Sequence, residues 1–158
     1  MHRLFLLLFV TSTLVAGDPL LLKTLTVRTL PADSYGQMKK GKGSDQFSWA
    51  WKDPSFKGSE GFHLEELRYV ADERNGRVQS YLRDQLTNEE RRSGGYALTI
   101  AVTYYTVDSV GPQMILEGTL SNGGKPVARF VESLILDRGE DPAHLVDGFM
   151  RDFSNFRM

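Results

Sequence analysis

The stretch Tyr96-Ala97-Leu98-Thr99-Ile100-Ala101-Val102-Thr103-Tyr104-Tyr105-Thr106-Val107-Asp108 alternates along its length. In an extended chain successive side chains point to opposite sides. Tyr96, Leu98, Ile100, Val102 and Tyr104 are therefore expected on one face, with Ala97, Thr99, Ala101, Thr103 and Tyr105 on the other. β-Branched and aromatic residues dominate it, and these suit a half-buried pleated surface. The reading is a strand. Downstream, Gly111-Pro112 predicts a turn, Met114–Ser121 a second strand, Asn122-Gly123-Gly124 a tight hairpin turn and Pro126–Asp137 a third strand. Links this short demand antiparallel pairing.

Such a sheet has an apolar face that must be covered. Asp141-Pro142 predicts a helix start, with Asp141 as N-cap and Pro142 in the first turn. Leu145, Phe149, Phe153 and Phe156 then recur every three or four residues as an apolar stripe. Val78, Leu82 and Leu86 predict a second helix from Arg77 to Arg92, with Arg83, Asp84, Glu89, Glu90 and Arg91 facing water. Ser93-Gly94-Gly95 would end it. Asn75-Gly76 reads as a turn, and Phe62–Val70 fits either helix or strand. Leu20–Leu30 predicts an early strand, and the glycine-containing segment from Pro31 to Asp45 a loop. Phe47, Trp49 and Trp51 lie two apart, so a strand stopped by Asp53-Pro54 would place all three rings on one face. The expected fold is α+β: a two-layer sandwich with a mainly antiparallel sheet of four to five strands packed against two helices.

The chain has 158 residues, Lys+Arg 19 against Asp+Glu 20, a formal charge of -1 and no cysteine. The missing thiol excludes disulfides, thiolate metal sites, iron–sulfur clusters, a cysteine nucleophile and a lipidated cysteine. The even charge balance argues against a duplex nucleic-acid surface, which rests on clustered excess cations. Met1-His2-Arg3, the apolar run Leu4–Val15 and the small pair Ala16-Gly17 before Asp18-Pro19 have the order of a secretory signal peptide. The expectation is a leader over 1–17, then a single exported domain over 18–158, periplasmic or extracellular, with no transmembrane span in the mature form. The apolar run is shorter than the roughly 17–25 residues a membrane-spanning helix needs.

No catalytic motif stands out. His63 and His144 lack metal-ligand spacing, and Glu65-Glu66 and Glu89-Glu90 read as solvated pairs. Asp141 and His144 are explained by capping. Gly41-Lys42-Gly43-Ser44 lacks P-loop spacing. Glu117 and Glu132 flank the hairpin turn and are expected to be offset or exposed, because like charges directly opposite are destabilising. No metal or cofactor is expected. The most suggestive cluster is Lys39, Lys40 and Lys42, followed by Trp49, Trp51 and Lys52, with Lys57 beyond. Cations interleaved with aromatics bind anionic sugars, lipid head groups or single strands by charge and stacking. The other reading is a lysine-rich loop beside two core tryptophans.

The Phe-x-Trp-x-Trp element, the helix ending in Gly-Gly-Tyr, the alternating strand and the Gly-turn hairpin, from about Phe47 to Phe156, resemble the small envelope lipoprotein domains of Gram-negative bacteria. The departure is Asp18, which stands where such proteins carry the lipidated cysteine. The resemblance implies a partner-binding or structural role and transfers no site residue. Three functions are weighed. The first is a non-enzymatic envelope protein that binds an envelope protein or an anionic envelope component, through a sheet edge or the lysine–tryptophan region. The second is an exported hydrolase using His63, His144, Glu117 and Glu132, and the third a small-ligand carrier.

Overall fold

Two adjacent glycines close the hairpin on which the sheet is built. Gly123 and Gly124 have φ of 55° and 80°, and Asn122 pairs with Lys125. A two-residue turn with both φ positive matches the twist of the strands it joins. In this computed structural model, which describes residues 27–41, 46–90 and 95–158, that hairpin joins β5 (Pro112–Asn122) to β6 (Lys125–Ile135). Before them run α1 (Ala32–Gln37), β1 (Lys39–Lys40), β2 (Trp49–Lys52), β3 (Phe62–Tyr69), α2 (Gly76–Glu89) and β4 (Tyr96–Val107). The last element is α3 (Ala143–Phe156).

The described strands form one sheet in the order β1-β2-β6-β5-β4-β3. Its pairs are antiparallel except β3 with β4, which are parallel. A parallel pair needs a crossover, and α2 supplies it. The α+β class agrees with the sequence reading, but the sheet is mixed, because β3 and β4 pair in parallel. The sheet has six strands rather than four to five, and three helices are described rather than two. Phe62–Tyr69 resolves as strand.

α2 and α3 cover one face of the sheet. Leu145, Phe149, Phe153 and Phe156 of α3 are buried, as are Val78, Leu82 and Leu86 of α2. Phe47 stacks on Phe130 at 4.2 Å between ring centres and stands 5.0 Å from Phe156. Gly118 sits opposite Phe130 in the register, and a Cβ there would land on that ring. The two helices are also tied by Tyr81 donating to Asp147 at 2.7 Å and by Arg157 to Glu89 at 2.8 Å. Asn75 caps α2, accepting from the Arg77 and Val78 amides. The Asp141 carboxylate accepts from the Ala143 amide at 2.9 Å.

The opposite face carries a smaller core, which the two-layer expectation omits. Met38, Ile115 and Val131 pack there with Leu30, Tyr35, Trp49, Trp51 and Tyr104. The segment leading into β1 thus lies across the sheet. Val27–Leu30, the described part of the expected early strand, is irregular, and the expected loop from Pro31 contains α1 and β1. The leader over 1–17 lies outside the described residues.

Two face assignments are corrected. A register shift between Val102 and Tyr104 turns Tyr104 to the smaller core and Tyr105 to the larger. Phe47 does not share a face with Trp49 and Trp51. It precedes β2 and enters the helix-side core, whereas the tryptophans pack on the other side. Between them the Ser48 amide donates to the Glu132 carboxyl, and regular pairing begins only at Trp49.

Candidate functional site

β1 is two residues long. Lys39 pairs with Ala50 and Lys40 with Trp49, and the chain enters β1 straight from α1 through Met38, so the pairing begins at Lys39. Trp51 and Lys52 therefore have β6 on one side and no described strand on the other. At that gap a cleft of about 730 Å³ opens, walled by Lys39, Lys40, Trp51 and Lys52, by Gln37 and Gln46, and by Asn155 and Phe156 of α3. Four of the six residues expected to bind a ligand thus meet at one cleft. Trp49 lines the neighbouring pocket, and Lys42 lies outside the described residues.

The four do not have equal parts. Lys39 and Lys40 are exposed. Lys52 donates from Nζ to the Phe156 carbonyl at 2.5 Å and lies 4.3 Å from the Phe156 ring centre. A cation on a terminal carbonyl closes the helix C-terminus, so Lys52 has a structural task. Burial holds its ammonium below the ordinary lysine range. Trp51 is half-buried, with the Arg129 guanidinium 5.7 Å from its ring centre.

A second pocket of about 320 Å³ shares Lys40, Gly41, Gln46 and Phe47 with the cleft. Its polar wall is Ser48, Glu132, Ser133, Arg151 and Asp152. Glu132 and Asp152 are both buried, at 3% and 2% exposure. Glu132 accepts from the Ser48 amide at 2.6 Å and is hydrogen-bonded to the Asp152 carboxyl. Arg151 Nε donates to Asp152 at 3.1 Å. Burial, with Asp152 alongside, pushes Glu132 up to about 8, against the pull of the Ser48 hydrogen bonds. Two carboxyls in contact behave this way because they cannot both ionise cheaply. Sequence reading missed this pair. Its one local signal is Asp152, an acid one position before Phe153 on the apolar stripe of α3.

The residues considered for hydrolysis do not converge. His63 is exposed at the start of β3 and His144 is exposed in the first turn of α3. Glu117 and Glu132 are offset as expected, but both are buried, which corrects the exposed alternative. Among the described residues no group of three or more His, Cys, Asp or Glu is placed to hold a metal. The outer edge of β3 carries His63, Glu65, Glu66 and Arg68 and a register shift between Leu64 and Glu66. Charge and bulging blunt a sheet edge against strand addition. Among the described residues no helix is long and apolar enough to cross a membrane.

No family model and no curated protein matches the chain. Among solved structures it is similar to a PelC variant dodecamer from Paraburkholderia phytofirmans, at 13% identity and a TM-score of 0.47, covering 68% of this chain and 94% of that one. It is also similar to the PelC dodecamer of the same organism in another crystal form, at 12% identity and a TM-score of 0.45, covering 66% and 94%.

Proposed function

We propose that this chain is an exported, non-enzymatic binding protein of the cell envelope, whose ligand is an acidic carbohydrate held in the Lys39–Lys40 cleft. The observation that carries the reading is the placing of two exposed lysines on a two-residue edge strand, at the lip of a cleft of about 730 Å³ with a half-buried tryptophan in its wall. Lysines attract carboxylates or sulfates, amides such as Gln37, Gln46 and Asn155 suit hydroxyls, and an indole offers an apolar surface to a sugar ring. An open cleft suits a chain that extends beyond it. The leader pattern of residues 1–17 supports export, and the resemblance to envelope lipoprotein domains supports the location.

The test uses the full chain and a fluorescent oligogalacturonate. Changing both Lys39→Ala and Lys40→Ala is expected to weaken binding by about ten-fold, since each exposed charge contributes on the order of 0.5–1 kcal/mol. The melting temperature is expected to stay where it was. Undiminished binding by the double variant, or no binding by the unaltered chain, would contradict the reading.

A further inference from the structure

We propose that the Glu132–Asp152 pair is a proton-operated regulator of the Lys39–Lys40 cleft: with one shared proton the cleft holds its anion, and loss of that proton weakens the hold. The inference rests on the cleft being an anion site and names its regulation.

Three geometric facts carry it. The pair and the cleft share a wall, because Lys40, Gly41, Gln46 and Phe47 line both spaces. The pair is also tied to that wall through Ser48. The Ser48 amide donates to Glu132 at 2.6 Å, its hydroxyl accepts from the Ser133 amide at 3.1 Å, and its carbonyl accepts from the Gly41 amide at 3.1 Å. Finally, the pair is buried, so a charge gained there is poorly screened.

Charged and polar groups face Glu132 from several described elements. Asp152 and Arg151 come from α3, Ser48 from the lead-in to β2 and Lys40 from β1, while its partner across β5 is the uncharged Leu116. One proton over two carboxyls leaves a single negative charge, with the Arg151 guanidinium in contact with Asp152. Removing that proton adds a second charge in a pocket that Lys40 also lines. The new charge competes with the ligand for Lys40 and repels Asp152, which opens the carboxyl–carboxyl contact beside Ser48. By reciprocity, a bound anion raises the pair's hold on its proton. The titration of Glu132 near 8 puts the response within a few pH units of neutrality.

Glu132→Gln is the informative variant. A glutamine amide donates to Asp152 and its oxygen accepts from Ser48, so it copies the protonated acid and cannot titrate. Oligogalacturonate affinity is measured at pH 6.5 and pH 9 on the full chain, the galacturonate carboxyls being ionised throughout. The unaltered chain is expected to lose about five-fold or more in affinity, the lower end of ordinary coupling between sites. Glu132→Gln is expected to keep its pH 6.5 affinity at pH 9. The Glu132 carboxyl carbon, followed by ¹³C NMR, should titrate near 8 and move higher when the ligand is bound. A pH-independent affinity in the unaltered chain, or equal losses in both proteins, overturns the regulation. In that event Lys39→Ala with Lys40→Ala still reports on the cleft. If that double variant binds undiminished, the cleft reading fails, and the regulation with it.

Discussion

Glu117 and Glu132 occupy neighbouring rungs of the β5–β6 ladder, Glu117 opposite Val131 and Glu132 opposite Leu116, and so point to opposite faces of the sheet. Each is buried, and each holds a different segment. Glu132 holds Ser48 at the entrance to β2. Glu117 accepts from the Thr29 amide at 2.7 Å, the Thr29 hydroxyl at 2.6 Å and the Tyr35 phenol at 2.7 Å. Burial first, and then the bond to Glu117, raises the Tyr35 phenol well above its ordinary range. The two acids fasten the two ends of the segment that carries the cleft lysines.

Glu117→Gln should therefore loosen the 29–35 segment. A buried acceptor with charged hydrogen bonds is worth roughly 1–3 kcal/mol when lost. Urea unfolding should report a loss of that size, and hydrogen exchange should quicken at Thr29 and Leu30. Unchanged exchange there would mean the carboxylate is not the fastening.

Glu132 gives the fold a pH dependence of definite sign. Its folded value of about 8 lies above the ordinary 4.5. The folded chain keeps a proton that the unfolded chain releases, so the contribution is full below about pH 4.5. It falls by at most about 1.4 kcal/mol per pH unit as pH rises toward 8, and then levels. Melting temperatures of Glu132→Gln should lack this component, seen as a shallower decline than the unaltered chain between pH 5 and pH 8.

Gly118→Ala tests the larger core. The added methyl meets the Phe130 ring, which is packed on Phe47 and cannot retreat freely. Overpacking of this kind costs about 1–3 kcal/mol. Calorimetry should register a clear drop in melting temperature, and an unshifted one would mean that the ring adapts.

Lys52→Met separates structure from binding within the lysine cluster. The contact with the Phe156 carbonyl is lost, at a cost of about 0.5–1.5 kcal/mol in stability. Oligogalacturonate affinity should fall less than when Lys39 and Lys40 are replaced, whereas stability should fall more.

The hairpin, both amphipathic helices and the alternating β4 are legible because each announces itself within a dozen residues. Phe62–Tyr69 was ambiguous for a physical reason. The register shift after Leu64 puts Leu64 and Leu67 on one face three residues apart, and both pack on the larger core. A bulged strand therefore imitates helical spacing. A similar irregularity exchanged Tyr104 and Tyr105. The lysine–tryptophan cluster was legible because its members are near in sequence. The Glu132–Asp152 pair was not, since it joins β6 to α3 through tertiary packing.

The central claim is that the cleft between β1, β2 and the end of α3 is the binding surface. Mapping amide shifts of the ¹⁵N-labelled chain during oligogalacturonate titration tests it most directly. The account predicts that saturable changes concentrate at Lys39, Lys40, Gln46, Trp51 and Asn155. Changes centred on the outer edge of β3 or the solvent face of α2, or none at all, would contradict it.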